Sequence, residues 1–563
     1  MDVTFLGGVN AIGGNKFLLT DGVDKESRVL LDFGMQFGDP KSYMEAAGPV
    51  ASMGAFYDEF LPPRTNCSLR DLLKLGILPS VDGLYRDDWL VTPGFRKAVK
   101  RHLGELPLED YWTSDLESYH AYKARTGRPF VDAVLLTHAH ADHFQHLAFL
   151  DPEIPVYCTA VTRSIVKAAG DVSNQRDTAE SYAAVLRGME EITDKGTFPG
   201  AYQARNHTRN GERPRPYHIV TPYEWFPVGA FRAQAIPIDH SVPGACFFLI
   251  EGKDGKRALY TGDFRFHGVY EAASDEAKRR LADLRPDALL CEGTRIDSDH
   301  QDSEHDVLHS TTSSIQETDG LILAEWGWKD LTRFLTMREA AMANDRILLV
   351  DPRVAYTIDR VAKVDPTFRP FDEYDSVAVY LRRKDTMTYS PADYKKHELG
   401  CEAEWDKEVR ADLRRWWLGE DGAPPPRQAA HFVNGVPAFK VRQNPSRYVV
   451  QTSYFQMSEL FDLDPPKGSR YIRSSCEPFN DEMISDTRKL TNWLSVWDIA
   501  SDISRDSGHH TSGHASGAEL ARFWDIVKPK TLFPVHTQQA TRFGELWGGG
   551  DVRPPKLGET VTV

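Results

Sequence analysis

Short, β-rich apolar runs broken by glycine open the chain. "DVTFLGG", "NKFLLTD" and "SRVLLDFG" cluster Val, Phe and Leu between turn residues and predict strands. The glycine-rich "GGVNAIGGN" between them lacks the GK[ST] ending and following helix of a phosphate loop, and reads as a hairpin turn. Residues 37–130, with "LRDLLKLGILP" and "FRKAVKRHLGELP", predict an inserted, largely helical stretch. "PFVDAVLLTHAHADH" is a buried-strand run, and "AVTRSIVKAAG" after it reads as a helix. "RAQAIPIDHSVPGACFFLIEG", "RALYTGDFRF" and "DALLCEGTRID" return to strands ending in small or charged residues. The alternation implies sheets covered by helices, an α/β architecture.

From residue 297 the pattern changes. "STTSSIQETDGLILAEWGWKDLTRFLTMREAAMANDRILLVDPRVAYTIDRV" reads helix, strand, helix, strand, helix, the signature of a doubly wound unit. The charged piece 382–430 interrupts it as a helical insertion with a loop, and "SRYVVQTS" and "SRYIRSS" restore strands. The expected organisation is a first part over 1–296 with insertions at about 37–130 and 171–220, a second unit over 297–490, and a return to the first over 491–563. No internal repeat is present.

At 563 residues the chain exceeds one ordinary core, and 41 % hydrophobic with 26 % charged content is that of a globular protein. No window reaches the length of a membrane span, and "MDVTFLGGVNAIGG" has no basic region or cleavable apolar run of a signal peptide. The six cysteines are scattered without a CxxC pair, as expected of buried free thiols in a reducing cytoplasm. A net charge of −15 argues against a general basic coat for nucleic acid, though not against a local basic channel. The basic run 204–218, with Arg205, Arg209, Arg213 and Arg215, reads as a solvated loop with a phosphate-contacting loop as the alternative.

"THAHADH" carries the chemistry. His138 and His140 are two apart, so on extended backbone they share a face and can grip one ion. Asp142 and His143 lie where the chain turns toward a helix and point to a second position; carboxylate with imidazole suits Zn²⁺ or Mn²⁺. Four ligands cannot close two sites. His240, Asp263 and His536 are the candidate partners, because each follows a β-like segment, and a carboxylate such as Asp263 can bridge two cations.

This constellation, with "TGDF", "ALLCEGT", "HHTSGHASGAEL" and "VKPKTLFPVH", resembles the metallo-β-lactamase fold in its β-CASP nuclease branch. That branch contains ribonuclease J and the cleavage-and-polyadenylation endonuclease. The resemblance implies an αββα sandwich with an inserted β-CASP doubly wound α/β domain, and an RNA-specificity segment at the end. It implies one metal held by His138, His140 and His240, a second by Asp142, His143 and His536, and Asp263 bridging both. Two divalent ions, Zn²⁺ with Mn²⁺ as the alternative, would activate a hydroxide against the phosphodiester. Glu292 and His514 match the family's acid–histidine pair at the leaving oxygen and join Asp142 as the catalytic set. Ser512, Gly513 and His514 match its phosphate-holding segment. His146 has no family counterpart and is expected to be structural; His509 and His510 are expected to be exposed loop residues.

The histidine at 536 is typical of RNA-acting members, so the expected activity is a cytoplasmic, metal-dependent ribonuclease on single-stranded RNA, cutting internally, digesting 5′→3′, or both. A DNA nuclease of the same fold and a non-catalytic subunit of a processing complex are the alternatives. The chain departs from ribonuclease J in having "HSVPGA" where "HSIPD" is usual. The 27 residues after His536 leave no room for its C-terminal oligomerisation domain, so dimerisation by that route is not expected.

Overall fold

A computed structural model describes residues 1–37, 69–90, 116–173, 175–191, 202–206, 213–299, 302–383, 403–405, 407, 430–476, 481–504 and 507–563. The insertion read at 382–430 falls almost wholly outside these residues.

The strand Asp2–Gly7 alternates partly and fully buried positions, as period-2 side chains on a half-covered sheet must. It joins Lys16–Thr20, Arg28–Leu31, Ala133–Leu135, Val156–Cys158, Tyr217–Ile219 and Thr560–Thr562 in a first, seven-stranded sheet. Trp225–Val228, Phe231–Pro237, Cys246–Glu251, Arg257–Tyr260, Ala288–Glu292 and Thr531–Val535 form a second, six-stranded sheet. One core fills the space between them: Val3, Phe5, Phe17 and Leu31 of the first meet Phe248, Tyr260, Leu290 and Phe533 of the second. The helix Ala160–Val172 covers the outer face of the first sheet, and Glu271–Leu281 with Gly517–Val527 covers that of the second. Each buries one apolar stripe against its sheet. The result is an αββα sandwich.

Ala288–Glu292 pairs in parallel with Thr531–Val535, so the chain between them leaves one strand and returns to its neighbour. It builds a third, seven-stranded sheet whose pairs are all parallel, ordered Val436–Pro437, Val377–Leu381, Ile347–Val350, Tyr448–Thr452, Ile322–Glu325, Arg470–Arg473, Ala500–Asp502. Helices lie on both faces, the doubly wound arrangement that right-handed crossovers produce. The sheet ends at Asp502, past the boundary expected at 490, because the helix Asp481–Val496 is the crossover to its edge strand. Its helix Pro352–Val361 packs on Ala160–Val172, and Tyr356 donates to Asp171 at 2.7 Å, which fixes the inserted unit against the sandwich.

The basic run 204–218 is not one surface. Arg215 is 4 % exposed and donates to the carbonyls of Leu147, Leu150, Asp151 and Ile154 at 2.7–3.0 Å. It clamps the turn after the histidine motif instead of contacting phosphate. Arg213 is exposed, and the side chains of Arg205 and Arg209 lie outside the described residues. Arg215→Ala is expected to lower stability by about 3 kcal/mol, since buried acceptors lose their donors, and to lower the thermal midpoint measurably. An unchanged midpoint would show the four bonds to be idle.

Candidate metal and phosphate site

The site lies where strand ends of both sandwich sheets meet. The "DFG" turn after Arg28–Leu31 cradles the histidine motif: Phe33 N donates to His143 O at 2.8 Å and Met35 N to Ala141 O at 3.1 Å. Gly34 passes so close to the Asp142 carbonyl that a β-carbon there would lie 1.6 Å from its oxygen, so only glycine fits. The glycine-rich loop 8–15, read as a turn, also serves the site, because Gly8 O accepts from His536 N at 2.8 Å. His536 sits in the left-handed region (φ 51°), a strained setting held by that bond.

The fold brings the seven candidate ligands together in two groups sharing one carboxylate. His138, His140, His240 and Asp263 offer ligand atoms within 4.8 Å of one another, and so do Asp142, His143, Asp263 and His536. Neighbours fix the histidine tautomers. Asp32 accepts from His143 Nδ1 at 2.7 Å, and Gly513 O accepts from His240 Nδ1 at 2.6 Å. Thr137 donates its hydroxyl to Asp32 at 2.8 Å and so accepts from His138 Nδ1 at 3.1 Å. Thr294 can donate to His536 O at 3.3 Å while accepting from His536 Nδ1 at 2.8 Å. Each of these four rings then presents a bare Nε2 inward.

Lone pairs therefore face lone pairs. His140 Nδ1 stands 3.2 Å from His138 Nε2 and 2.9 Å from His240 Nε2. His143 Nε2 is 3.1 Å from Asp263 Oδ2, His536 Nε2 is 3.1 Å from Asp142 Oδ2, and buried Asp263 Oδ1 has no hydrogen-bond partner. Acceptors converging at such distances call for positive charge between them, and imidazole with carboxylate donors fits a divalent cation. The electrostatics agree. Burial disfavours charge on His143, yet the carboxylates Asp263, Asp142 and Asp32 raise its proton affinity well above normal, so that without a cation a proton on Nε2 stands where the positive charge is needed against Asp263. His138 and His240, ringed by other imidazoles, are pushed down by burial and those neighbours.

Glu292 ends the strand Ala288–Glu292, is fully buried, and accepts from His514 Nδ1 at 3.0 Å. Burial opposes a charged His514, but the Glu292 charge and hydrogen bond overcome it and raise the imidazole to about 9. His514 is 20 % exposed and its ring lies 5.4 Å from His240 and 5.7 Å from His536. The carbonyl of Ser512 is tied back by His267 Nε2 at 3.0 Å and by Arg265 Nη1 at 3.4 Å, and Ser512 Oγ accepts from His514 N at 3.1 Å. At Gly513 a β-carbon would stand 2.8 Å from His240 Cε1, so glycine lets the segment press against that ring.

His146 is buried outside both groups with Nδ1 unpartnered. His509 is not the exposed loop residue expected. It is 2 % exposed and lies 3.2 Å from the hydroxyls of Thr311 and Ser314 and 3.3 Å from Asp502, because the 509–514 segment is laced between the third sheet and the sandwich. His510 is partly buried. Sequence reasoning missed Asp32 and Thr294. Asp32 (φ 55°) also accepts from Tyr260 at 2.7 Å and holds two candidate ligand histidines in register. Asp32→Ala is expected to weaken metal affinity by about 10- to 100-fold, measured by competition with a chelator; an unchanged affinity would deny it the orienting role.

Residues 114–198 match the family described as "Beta-lactamase superfamily domain", and residues 504–546 match "Zn-dependent metallo-hydrolase RNA specificity domain". The chain is 24 % identical over 460 residues to a protein named Ribonuclease J from Sinorhizobium meliloti, covering 80 % of this chain and 65 % of that protein. It is 30 % identical over 190 residues to Ribonuclease TTHA0252 from Thermus thermophilus, covering 32 % of this chain and 37 % of that protein. This chain thus spans somewhat under two thirds of the first relative's length and about a third of the second's. A crystal structure of a protein of unknown function from Enterococcus faecalis has the same fold: TM-score 0.61, 18 % identity, with 100 % of this chain and 99 % of that one covered. The shared-carboxylate donor set at the sandwich edge and a parallel sheet inserted between neighbouring strands agree with these likenesses: in fold and donor set the chain is similar to metallo-β-lactamase-fold metallo-hydrolases that carry an RNA-specificity domain.

Proposed function

We propose that the protein is a metal-dependent ribonuclease that hydrolyses phosphodiester bonds of single-stranded RNA. One observation carries the reading: the Glu292–His514 pair stands beside the donor groups, with Asp263, Glu292, His514 and His536 atoms within 4.8 Å of one another. A phosphodiesterase needs such a proton donor next to its metal ligands, whereas a structural metal site does not. The match of 504–546 to an RNA-specificity family and the relatives' names support RNA as the polymer.

We assign two divalent ions, Zn²⁺ with Mn²⁺ as the alternative, one to His138, His140 and His240 and the other to Asp142, His143 and His536, with Asp263 serving both. Bound there, they would supply Lewis acidity toward a phosphoryl oxygen and lower the pKa of an attacking water. The chain's own groups do the rest. Asp32, Thr137, Thr294 and Gly513 O orient the histidines. Amides at Ser512 and Gly513, whose side chains leave the backbone accessible, hold a non-bridging phosphate oxygen. His514 keeps a proton on Nε2 for the departing ribose oxygen, and Glu292 anchors the ring through Nδ1. The division into a sandwich and a β-CASP unit from 297 belongs to the same reading, with the unit's sheet running on past 490 to Asp502. Among the described residues no helix is long and apolar enough to cross a membrane. The buried free thiols Cys158, Cys246 and Cys291 support a cytoplasmic setting.

The test offers the metal-loaded protein end-labelled single-stranded RNA and DNA, each with 5′-hydroxyl and 5′-monophosphate ends. RNA cleavage that a chelator abolishes is expected. Cleavage of neither polymer would sink the nuclease reading, and cleavage of DNA alone would transfer it to DNA.

A further inference from the structure

The third sheet presents a row of cations and aromatics that the cleavage chemistry does not use. All its strands run parallel, and Tyr448–Thr452 lies between Ile322–Glu325 and Ile347–Val350, where the strand order reverses. In open parallel sheets, ligands lie against the carboxyl ends of strands at such a point. Just past the end of Ile322–Glu325, Lys329 Nζ donates to the carbonyl of Ala139, between His138 and His140, at 3.0 Å. Among the described residues no carboxylate lies within ion-pair distance of Lys329. Trp328 holds cations on its ring: Lys329 Nζ is 5.8 Å and the Arg353 guanidinium 5.7 Å from its centroid.

Arg353 and Arg382, from the next two strand ends, share the single carboxylate of Asp351, at 2.9 and 2.6 Å. Two guanidiniums thus stand on one carboxylate, and the other acid near Arg382 is Glu459, whose carboxyl burial pushes up toward its neutral form. Gln456 donates to the same Asp351 at 3.3 Å, and beside it the ring of Phe455 is 87 % exposed. An isolated exposed phenylalanine is ordinary. One whose sequence neighbour Gln456 shares a carboxylate with two guanidiniums has the make-up of a single-strand platform, where phosphates meet charge and a base meets a π-face.

We propose that the carboxyl edge of this sheet holds the part of a single-stranded RNA that lies beyond the bond being cut, with phosphates on Lys329, Arg353 and Arg382 and one base stacked on Phe455. This rests on the ribonuclease reading for the identity of the polymer. The track makes affinity depend on oligonucleotide length, because a short substrate reaches only the metal centre.

The test measures binding of fluorescein-labelled oligouridylates of 4 and 12 nucleotides to chelator-treated, full-length protein. The wild type is expected to bind the longer one at least about ten-fold more tightly, and Phe455→Ala to lose about ten-fold of that preference. Phe455→Trp should keep it. Arg382→Gln should flatten the slope of log affinity against log salt by about 0.7 for the 12-mer, and Phe455→Ala should leave the slope alone. Thermal midpoints of the variants exclude misfolding. An absent length preference in the wild type, or variants that move neither quantity, overturns the track. RNA cleavage by the metal-loaded wild type is scored separately: cleavage with an unmoved length preference removes the track alone, and a length preference without cleavage removes the ribonuclease reading alone.

Discussion

Asp263→Ala is expected to strip the protein of the two metal ions proposed for it and to lower the proposed RNA cleavage by at least about 10³-fold. Asp263 is the one carboxylate common to both donor groups. It is 2 % exposed, and its Oδ1 has no protein partner, which a carboxylate tolerates only if a cation completes it. Its charge is held well below the usual carboxylate range despite burial, because His143 and His536 stand against it. Without it, His143 Nε2 loses its 3.1 Å neighbour, and both donor groups lose the anionic oxygen they have in common. The measurement is metal content per chain by elemental analysis after dialysis, with cleavage of labelled RNA alongside. Two ions retained by Asp263→Ala would end its role as the shared ligand; one retained ion would restrict that role to a single position.

The candidate metal loop was legible because its logic is local. His138, His140, Asp142 and His143 lie within six residues, in the short loop after the strand Ala133–Leu135 and on the helix Ala141–Phe144, and a period-2 step followed by a turn is visible in sequence. His240, Asp263 and His536 were legible one level less directly, as residues that follow the strands Phe231–Pro237, Arg257–Tyr260 and Thr531–Val535. What was hidden depends on pairings across the chain. Asp32 reads as a turn residue after "VLL"; its meaning comes from His143, 111 positions on, and Tyr260, 228 positions on. Arg215 looked like one more solvated charge, since nothing local reveals that four carbonyls of the 147–154 turn close around it.

The inserted sheet shows the same division. Its alternating helices and strands were plain from periodicity. Its order, with Tyr448–Thr452 threaded between Ile322–Glu325 and Ile347–Val350, was not, because parallel pairing is specified by apolar faces that look alike from strand to strand. The end of the unit was misjudged for a related reason: the edge strand Ala500–Asp502 is polar and partly exposed, with no apolar run to announce it. His509 followed from that error, since its burial depends on Asp502 and on the helix Glu304–Gln316.

His514→Ala is expected to lower the cleavage rate by about 10²- to 10⁴-fold while leaving the metal content unchanged. The two readouts separate its proposed role from that of a ligand. His514 Nδ1 is committed to Glu292 at 3.0 Å, so only Nε2 can face the substrate, and a ring charged up to about 9 carries a proton there at neutral pH. Glu292→Gln keeps the shape but removes the charge that holds that proton, so it should cost rate through the same step. If the pair acts as one unit, the double variant will be about as slow as His514→Ala alone, since a carboxylate has nothing left to anchor. Losses that simply multiply would instead give Glu292 a separate task, for which the amides of Phe264 and Thr294, donating to its oxygens at 3.3 and 3.0 Å, supply the obvious alternative: a strand-end carboxylate that shapes the Asp263 and His536 turns.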